Sequence, residues 1–375
     1  MPGGGIRLGK ILGIEIRLHF SWVIIFFLVG YSLSFFYYPT TYPRLSRSTH
    51  LGMGLVTTFF FFASILVHEL SHSIVARRNG LPIRFITLFI FGGVSSISKE
   101  PDDANTEIKM AFAGPATSLL LGAGFGALWI LGMQVGIGDA VTGVVGYLAL
   151  INVALGVFNL MPGFPLDGGR LLRAGAWKIT GNIERATKIA AGFGRGLAFL
   201  LIAGGLVLAL GTPYLPNGLW LIFIGWFLDQ AARSSYQQVI ITQALQHVLV
   251  RDIMTKDPLT IPADISVREA VDRYFLAHKY GGFPVVRDGE PIGVVSLADL
   301  REVPPAEWDT KTVAEAMAPL GPDTVVSAET HVADLLSCLH SRKCDRLLVL
   351  EDHRVEGIVT NDDVAQYLRV QTALR

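Results

Sequence analysis

Charged residues are scarce in this chain. Of its 375 residues, 17% are charged and 51% are hydrophobic, and 31 basic residues are balanced by 31 acidic ones. Globular domains average about 25% charged residues, so the composition indicates a membrane protein rather than one bathed in water. With no excess and no stripe of basic residues, nucleic acid is not expected as a partner.

Cysteines and processing signals are also few. Cys338 and Cys344 are the only cysteines, and both lie in the polar C-terminal part. Two cysteines do not make a disulfide scaffold, so we expect free thiols in a reducing compartment. The first apolar run, about residues 20–38, does not end in a small-residue cleavage site. It is therefore predicted to be a retained membrane anchor.

Long apolar runs are abundant. Six segments have roughly the 18–25 residues that cross a bilayer as a helix. They cover about residues 18–38, 52–76, 107–131, 141–161, 186–210 and 215–233. Basic residues such as Arg77 and Arg78 collect in loops on one side, whereas the loops on the other side contain only Arg44 and Arg47. The positive-inside rule predicts a multi-pass protein of the cell membrane with both termini in the cytoplasm.

Residues 81–98 differ from these runs. Ile83, Phe85, Thr87, Phe89 and Phe91 alternate with other residues, and Gly92-Gly93 then interrupts the run. This predicts a membrane-associated β-hairpin, with an amphipathic connector as the alternative. Irregular backbone at membrane depth is tolerated only against protein or a wet cavity. We therefore expect the hairpin to lie beside the functional site.

Ionisable residues inside the second run suggest a metal site. His68-Glu69-x-x-His72 interrupts an otherwise apolar segment, and ionisable groups at this depth are usually functional. On a helix, residues four apart share a face, so two neutral imidazoles could bind one Zn²⁺ at roughly 2.0–2.1 Å. Glu69 could accept a proton from water there. The alternative is a pair of histidines that only pack within a bundle.

A third ligand is needed, and Asp167 is the candidate. Pro162 and Pro165 prevent a regular helix before it, and Gly168-Gly169 permits an unusual turn after it. Taken alone, Asp-Gly-Gly is ordinary turn or capping chemistry. Asn159 either holds a substrate carbonyl or the developing oxyanion, or bonds between helices.

After about residue 245 the composition becomes polar and an internal repeat appears. Units at about residues 250–305 and 312–370 share a pattern of helix, strand, strand and helix, with a period of about 60 residues. The predicted domains are therefore 1–235 in the membrane, a linker at 236–248, and a paired α/β domain at 249–373. The fold class is a polytopic α-helical membrane protein joined to a soluble α/β pair.

The two membrane motifs together resemble the site-2 protease family, peptidase family M50. That family is marked by H-E-x-x-H and N-x-x-P-x-x-P-L-D-G, and both occur here, from His68 and from Asn159. Ala113-Gly114-Pro115 is similar to a further family element, and the resemblance covers about residues 5–235. It implies one Zn²⁺ per chain held by His68, His72 and Asp167, with Glu69 as general base. It also implies a strand-forming stretch, at about 81–97, that pairs with an unwound substrate.

The C-terminal repeat resembles a tandem CBS domain. The motif G-h-h-[ST]-x-x-D is present at Gly293–Asp299 and Gly357–Asp363. By this resemblance Ser296 and Thr360 would meet phosphates, and Asp299 and Asp363 would hold ribose hydroxyls of ATP, ADP or AMP. The alternative is that these residues cap the following helices. Paired CBS modules also imply a homodimer.

The expected function is zinc-dependent endopeptidase activity within the membrane, as in regulated intramembrane proteolysis. The expected substrate is a single-span membrane protein, and the CBS pair would act as regulator. Two other functions remain open, a catalytically silent adaptor or transporter and an ion carrier. A catalytically silent adaptor has no need of a general base such as Glu69. An ion carrier should have ionisable residues in several of the apolar runs, whereas here they cluster in one.

Overall fold

A computed structural model of the chain describes residues 5–90, 92–97, 101, 103–211, 215–278, 280–339, 346–351 and 354–373. The chain forms two compact units, Met1–Gln237 and Gln238–Arg375. Phe91 of the predicted hairpin, Cys344 and the side chain of Cys338 lie outside the described residues.

Helices dominate the first unit. They are α1 (Phe20–Ser32), α2 (Tyr38–Thr41), α3 (Arg47–Arg78), α4 (Ala104–Val135), α5 (Asp139–Asn159), α6 (Asp167–Thr180), α7 (Ile183–Gly211) and most of α8 (Leu215–Leu245), whose end belongs to the second unit, with a π-helical turn at Leu33–Tyr37. Five described segments are long and apolar enough to cross a membrane: Phe20–Thr41, α3, α4, α5 and α7. The prediction of a polytopic helical membrane protein is confirmed, with an approximate number of spans.

The sixth predicted span lies in α8, which is not among those five. Pro216-Asn217 and Asp229-Gln230 bracket its apolar part. That part is only about 17 Å long at the helical rise of 1.5 Å per residue, whereas the hydrocarbon core is about 30 Å thick. The uninterrupted apolar part of α8 is therefore too short to cross the hydrocarbon core, although the total length of the helix would suffice.

One four-stranded sheet accompanies these helices. Its strands are β1 (Gly5–Ile11), β2 (Ile14–His19), β3 (Ile83–Phe89) and β4 (Gly92–Ile97), in the order β1-β2-β3-β4. The predicted hairpin is β3-β4, which is antiparallel, while β3 is parallel to β2. Ile14, Ile16, Ile86 and Leu88 pack against α3 residues in one core cluster. Strands β1 and β2 had not been predicted.

One face of α4 is buried along its first half. Asp103 caps this helix by accepting hydrogen bonds from two backbone N–H groups of the first turn. Glu107, Met110, Gly114 and Ser118 are buried and are spaced by three or four residues, so they share one face. Helix α4 packs against both α3 and α6. This face therefore links two elements that carry predicted metal ligands.

The second unit contains the predicted repeat. Its helices are α9 (Val250–Ile253), α10 (Val267–Ala270), α11 (Leu276–His278), α12 (Leu297–Glu302), α13 (Val313–Ala316), α14 (Val332–Leu339) and α15 (Asn361–Ala373), with a π-helical turn at Val271–Phe275 and a 3₁₀ turn at Pro305–Glu307. Its strands are β5 (Thr255–Lys256), β6 (Ile261–Pro262), β7 (Gly282–Arg287), β8 (Glu290–Ser296), β9 (Ala318–Pro319), β10 (Val325–Val326), β11 (Arg346–Glu351) and β12 (Arg354–Thr360).

These strands form two sheets, in the orders β6-β7-β8-β9 and β10-β11-β12-β5. Each repeat gives one short strand to the other sheet, since β5 pairs with β12 and β9 pairs with β8. The predicted linker at 236–248 is helical as far as Leu245. Leu245 and Val248 are buried in the core of the second unit, so the end of that segment contributes to packing.

Candidate metal centre

Helix α3 presents His68 and His72 on one face. Both side chains are buried, and their Nε2 atoms lie 3.2 Å apart. This follows from the i, i+4 spacing, which places the two imidazoles one turn apart on the same helix face, with their planes nearly perpendicular at 79°. The helix is capped by Ser46, whose side chain accepts a hydrogen bond from the N–H of Thr49. A regular, well-capped helix thus fixes the separation of the two rings.

Asp167 approaches these rings from α6, of which it is the first residue. Its Oδ2 lies 3.2 Å from Nε2 of His68 and 3.1 Å from Nε2 of His72. The loop before α6 passes very close to the helix start, because a Cβ on Gly168 would lie 2.3 Å from the carbonyl oxygen of Leu160. A Cβ on Gly169 would lie 2.3 Å from the carbonyl carbon of Gly163. Only glycine allows this approach, which directs Asp167 at the histidines.

The other ring nitrogens of both histidines are held by α4. Nδ1 of His72 donates to the carbonyl oxygen of Met110 at 2.6 Å, and Nδ1 of His68 lies 2.9 Å from Oγ of Ser118. Metal-binding histidines are typically oriented by such a partner on the second nitrogen. Ser118 and Met110 were not predicted, because a residue that bonds across helices leaves no local sequence pattern.

Helix α4 also closes one side of the site at Gly114. A Cβ there would lie 2.1 Å from Nε2 of His72 and 2.6 Å from Nε2 of His68. Gly114 of the Ala113-Gly114-Pro115 element, noted in the sequence only by resemblance, is thus required by close packing. A larger residue would displace the histidines.

Glu69 lies beside the sheet. A Cβ on Gly93 of β4 would lie 2.3 Å from Cγ of Glu69, so the Glu69 side chain passes directly over the strand backbone. Oγ of Ser95 on β4 is 3.0 Å from Oγ of Ser73 on α3, which ties the strand to the helix. Strand β4 is at the edge of the sheet, and only β3 pairs with it among the described strands. A strand with one open edge therefore runs past Glu69.

The three converging side chains fit a zinc ion. Tetrahedral ligands at about 2.0–2.1 Å from Zn²⁺ lie about 3.3 Å from one another, close to the separations of 3.1 to 3.2 Å seen here. The carbonyl of Met110 can only accept a hydrogen bond, so a neutral His72 directs a lone pair from Nε2 toward Asp167. Two lone pairs facing each other at this distance repel unless a cation or a proton lies between them.

Asn159, by contrast, is not hydrogen-bonded to any of the three candidate metal ligands. It is the last residue of α5, and its Nδ2 donates to the carbonyl oxygen of Leu155 at 3.0 Å within the same helix.

The CBS motif residues are engaged in local capping. Ser296 and Asp299 form a reciprocal capping box at the start of α12, with Ser296 Oγ donating to Asp299 Oδ2 at 2.6 Å. Thr360 Oγ1 donates to Asp363 Oδ2 at 2.7 Å in the second repeat. Asp363 Oδ1 also accepts from Thr255 Oγ1 at 3.1 Å. The capping alternative therefore has direct geometric support in both repeats.

Comparisons with known proteins agree with this architecture. The profile of peptidase family M50 matches residues 56–143 and 132–203, and the CBS domain profile matches 250–305 and 313–370. The zinc metalloprotease Rip3 of Mycobacterium tuberculosis is 39% identical over 97% of this chain and 93% of its own length.

A zinc metalloprotease of Methanocaldococcus jannaschii is 31% identical over 97% of this chain and 96% of its own length. The solved site-2 protease of Methanocaldococcus jannaschii is 30% identical over 62% of this chain and 95% of that chain, with a TM-score of 0.41.

Fold, site and relatives together define a class, the multi-pass membrane metalloendopeptidases that depend on zinc. The chain belongs to peptidase family M50, the site-2 proteases, with a tandem CBS domain at its C-terminal end.

Proposed function

We propose that the chain hydrolyses peptide bonds within or near the transmembrane segment of single-span membrane proteins. His68, His72 and Asp167 would hold one Zn²⁺, and Glu69 would act as general base. The convergence of two imidazoles and one carboxylate from α3 and α6, inside an apolar bundle, carries this proposal. Such groups are too costly at that depth to be retained without a cation to bind.

Zinc and Glu69 would have different roles in peptide hydrolysis. A Zn²⁺ bound there supplies Lewis acidity, which makes water nucleophilic near neutral pH. Glu69 accepts the proton of the attacking water and then donates it to the nitrogen of the leaving amine. Asn159 is a candidate to hold the substrate carbonyl, since its Nδ2 uses one of two hydrogens on Leu155.

The substrate would bind as an added strand on β4. A helical substrate shields its peptide bonds, so it must unwind, and its freed N–H and C=O groups then need partners inside the membrane. The open edge of β4 offers such partners next to Glu69. Because Gly93 has no side chain, Glu69 can lie directly against that strand. The β3-β4 hairpin thereby gains a role in presenting substrate.

A cleavage assay with the full chain tests the proposal. Wild-type protein should cleave a single-span substrate in detergent micelles and contain one zinc per chain by elemental analysis. Glu69→Gln should retain zinc and bind the substrate, yet show no cleavage. Asp167→Ala should lose both zinc and cleavage. Equal substrate binding without cleavage in wild type and Glu69→Gln alike would instead favour the silent adaptor.

We further propose that the CBS pair regulates cleavage by binding ATP, ADP or AMP and that it supports a homodimer. The membrane orientation would place both termini in the cytoplasm, where these nucleotides occur. The paired repeats of the second unit support this proposal. Equilibrium dialysis of each nucleotide with the full chain is the direct test, and no saturable binding of any of them would remove the regulatory role.

A further inference from the structure

A buried ion pair joins α4 to α6 outside the metal centre. Glu107 on α4 is 0% exposed and Arg173 on α6 is 5% exposed. Nε of Arg173 donates to Oε1 of Glu107 at 2.7 Å, and a terminal guanidinium nitrogen donates to the same oxygen. Arg170 is a more distant neighbour, with its Nε 3.7 Å from that oxygen. None of these residues belongs to the motifs that define the family.

This pair is expensive to bury. Removing two charges from water carries a desolvation cost that their mutual attraction often fails to offset. A packed apolar contact would hold α4 and α6 together equally well, so stability alone does not account for the pair. Buried ionic groups are better suited to fixing one arrangement among several, because their hydrogen-bond geometry is directional.

Both partners are placed to act on the metal ligands. Glu107 shares the buried face of α4 with Met110, Gly114 and Ser118, which hold or abut the two histidines. Arg173 is six residues after Asp167 on the same helix, a distance of about 9 Å at 1.5 Å per residue. The pair therefore ties the helix that orients the histidines to the helix that carries the carboxylate.

Arg173 also contacts the loop that precedes Asp167. Its guanidinium lies 5.3 Å from the ring centroid of Phe164, a favourable cation–π separation. Phe164 is buried, and its backbone N–H donates to the carbonyl oxygen of Ala190 on α7 at 3.2 Å. The chain is thus held in place on both sides of Asp167: the loop before it through Phe164, and the helix after it through Arg173.

We propose that Glu107 and Arg173 are positioning residues that set the register of α6 against α4 and thereby hold Asp167 at the distance from His68 and His72 that metal binding requires. This inference rests on the proposed function, because it assumes that those three residues bind zinc.

Zinc release tests this directly. Zinc-loaded full-length protein in micelles is mixed with excess chelator, and the rate of zinc loss is measured. Groups that bond metal ligands directly typically change affinity or activity by about 10–100-fold. Glu107 and Arg173 act through the helices that carry those groups, so Arg173→Lys and Glu107→Gln should each release zinc about tenfold faster, at the lower end of that range. Arg173→Lys keeps the charge but loses the planar fork. The visible spectrum of the cobalt-substituted protein should also shift, since it reports the ligand arrangement.

A matched control exists in the same unit. Arg195 on α7 donates to Asp229 on α8 at 3.0 Å, and this ion pair contacts none of the metal ligands. Arg195→Lys should release zinc at the wild-type rate, with an unchanged cobalt spectrum. Thermal midpoints of all variants establish that folded proteins are compared.

The outcomes separate the two proposals. Wild-type zinc release and spectra in both Arg173→Lys and Glu107→Gln would overturn the positioning role, provided that Asp167→Asn releases zinc faster. Equal acceleration in Arg195→Lys would overturn it as well, since the effect would then be general loosening. If Asp167→Asn itself releases zinc as slowly as wild type, the ligand assignment fails instead.

Discussion

In the first unit, the two motif histidines bond to groups far along the chain, whereas in the second unit the motif hydroxyls of Ser296 and Thr360 bond to carboxylates three residues away. His68 and His72 meet Asp167, Ser118 and the carbonyl of Met110, which all lie on other helices. Ser296 bonds Asp299, and Thr360 bonds Asp363, at the start of their own helices. The same residue types thus serve tertiary and local structure respectively.

The difference has a physical origin. In an apolar bundle, a polar side chain has no water to bond to, so it bonds either to its own helix, as Ser64 and Asn159 do, or to a group on another element, as the two histidines do. At a helix start near the surface, the unpaired N–H groups of the first turn are themselves the partners. We infer that substitutions in the first unit should alter chemistry, while those in the second should alter local stability. Three measurements test this contrast.

The largest effect is expected at Gly114. An alanine methyl there would fall 2.1 Å from Nε2 of His72, and misplacement by about 1 Å can cost about 10²-fold in rate. Gly114→Ala should therefore lose at least about 100-fold in cleavage rate and bind zinc poorly. Gly124→Ala in the same helix is the control, because its methyl would meet nothing within 4 Å. Equal cleavage rates in the two variants would show that the histidines can move away from α4 without loss of activity.

An intermediate effect is expected at Ser118. Ser118→Ala removes the partner of His68 Nδ1 and should lower zinc affinity or cleavage by about tenfold, as is typical of such partners. Ser64→Ala serves as control, since its hydroxyl donates only to the carbonyl oxygen of Phe60 in its own helix. Zinc titration and cleavage rates measure both. A tenfold loss in Ser64→Ala would mean that any buried hydroxyl matters equally.

The smallest effect is expected in the second unit. Ser296→Ala removes a helix cap and should cost about 1 kcal/mol of local stability, with Thr360→Val doing the same in the other repeat. Hydrogen exchange of the strands β8 and β12 should accelerate accordingly. Cleavage without nucleotide should stay at the wild-type rate. A large loss of basal cleavage in either variant would break the contrast between the units.

The sequence was informative wherever spacing alone determines geometry. His68 and His72 share a helix face because they are four residues apart. Ionisable side chains in an apolar segment are energetically costly, which favoured a functional role over a purely structural one. The β3-β4 hairpin followed from alternation and paired glycines. The missing partners, Ser118 and the carbonyl of Met110, depend on how α4 packs on α3, which periodicity does not encode.

Strands β1 and β2 could have been predicted. Ile14, Ile16 and Leu18 alternate with Glu15 and Arg17, and Gly13 has a φ of 80° in the turn before them. That pattern is typical of a half-buried strand after a tight turn. The adjoining apolar run dominates the N-terminal region and obscures this short alternation.

The exchange of short strands between the two CBS repeats has a consequence for how the second unit unfolds. Strand β5 completes the sheet of the later repeat, and β9 completes the sheet of the earlier one. Removing either repeat would therefore leave the sheet of the other repeat without one of its edge strands. The two repeats should consequently melt as one cooperative block, and a chain truncated between them should lack a stable C-terminal body altogether.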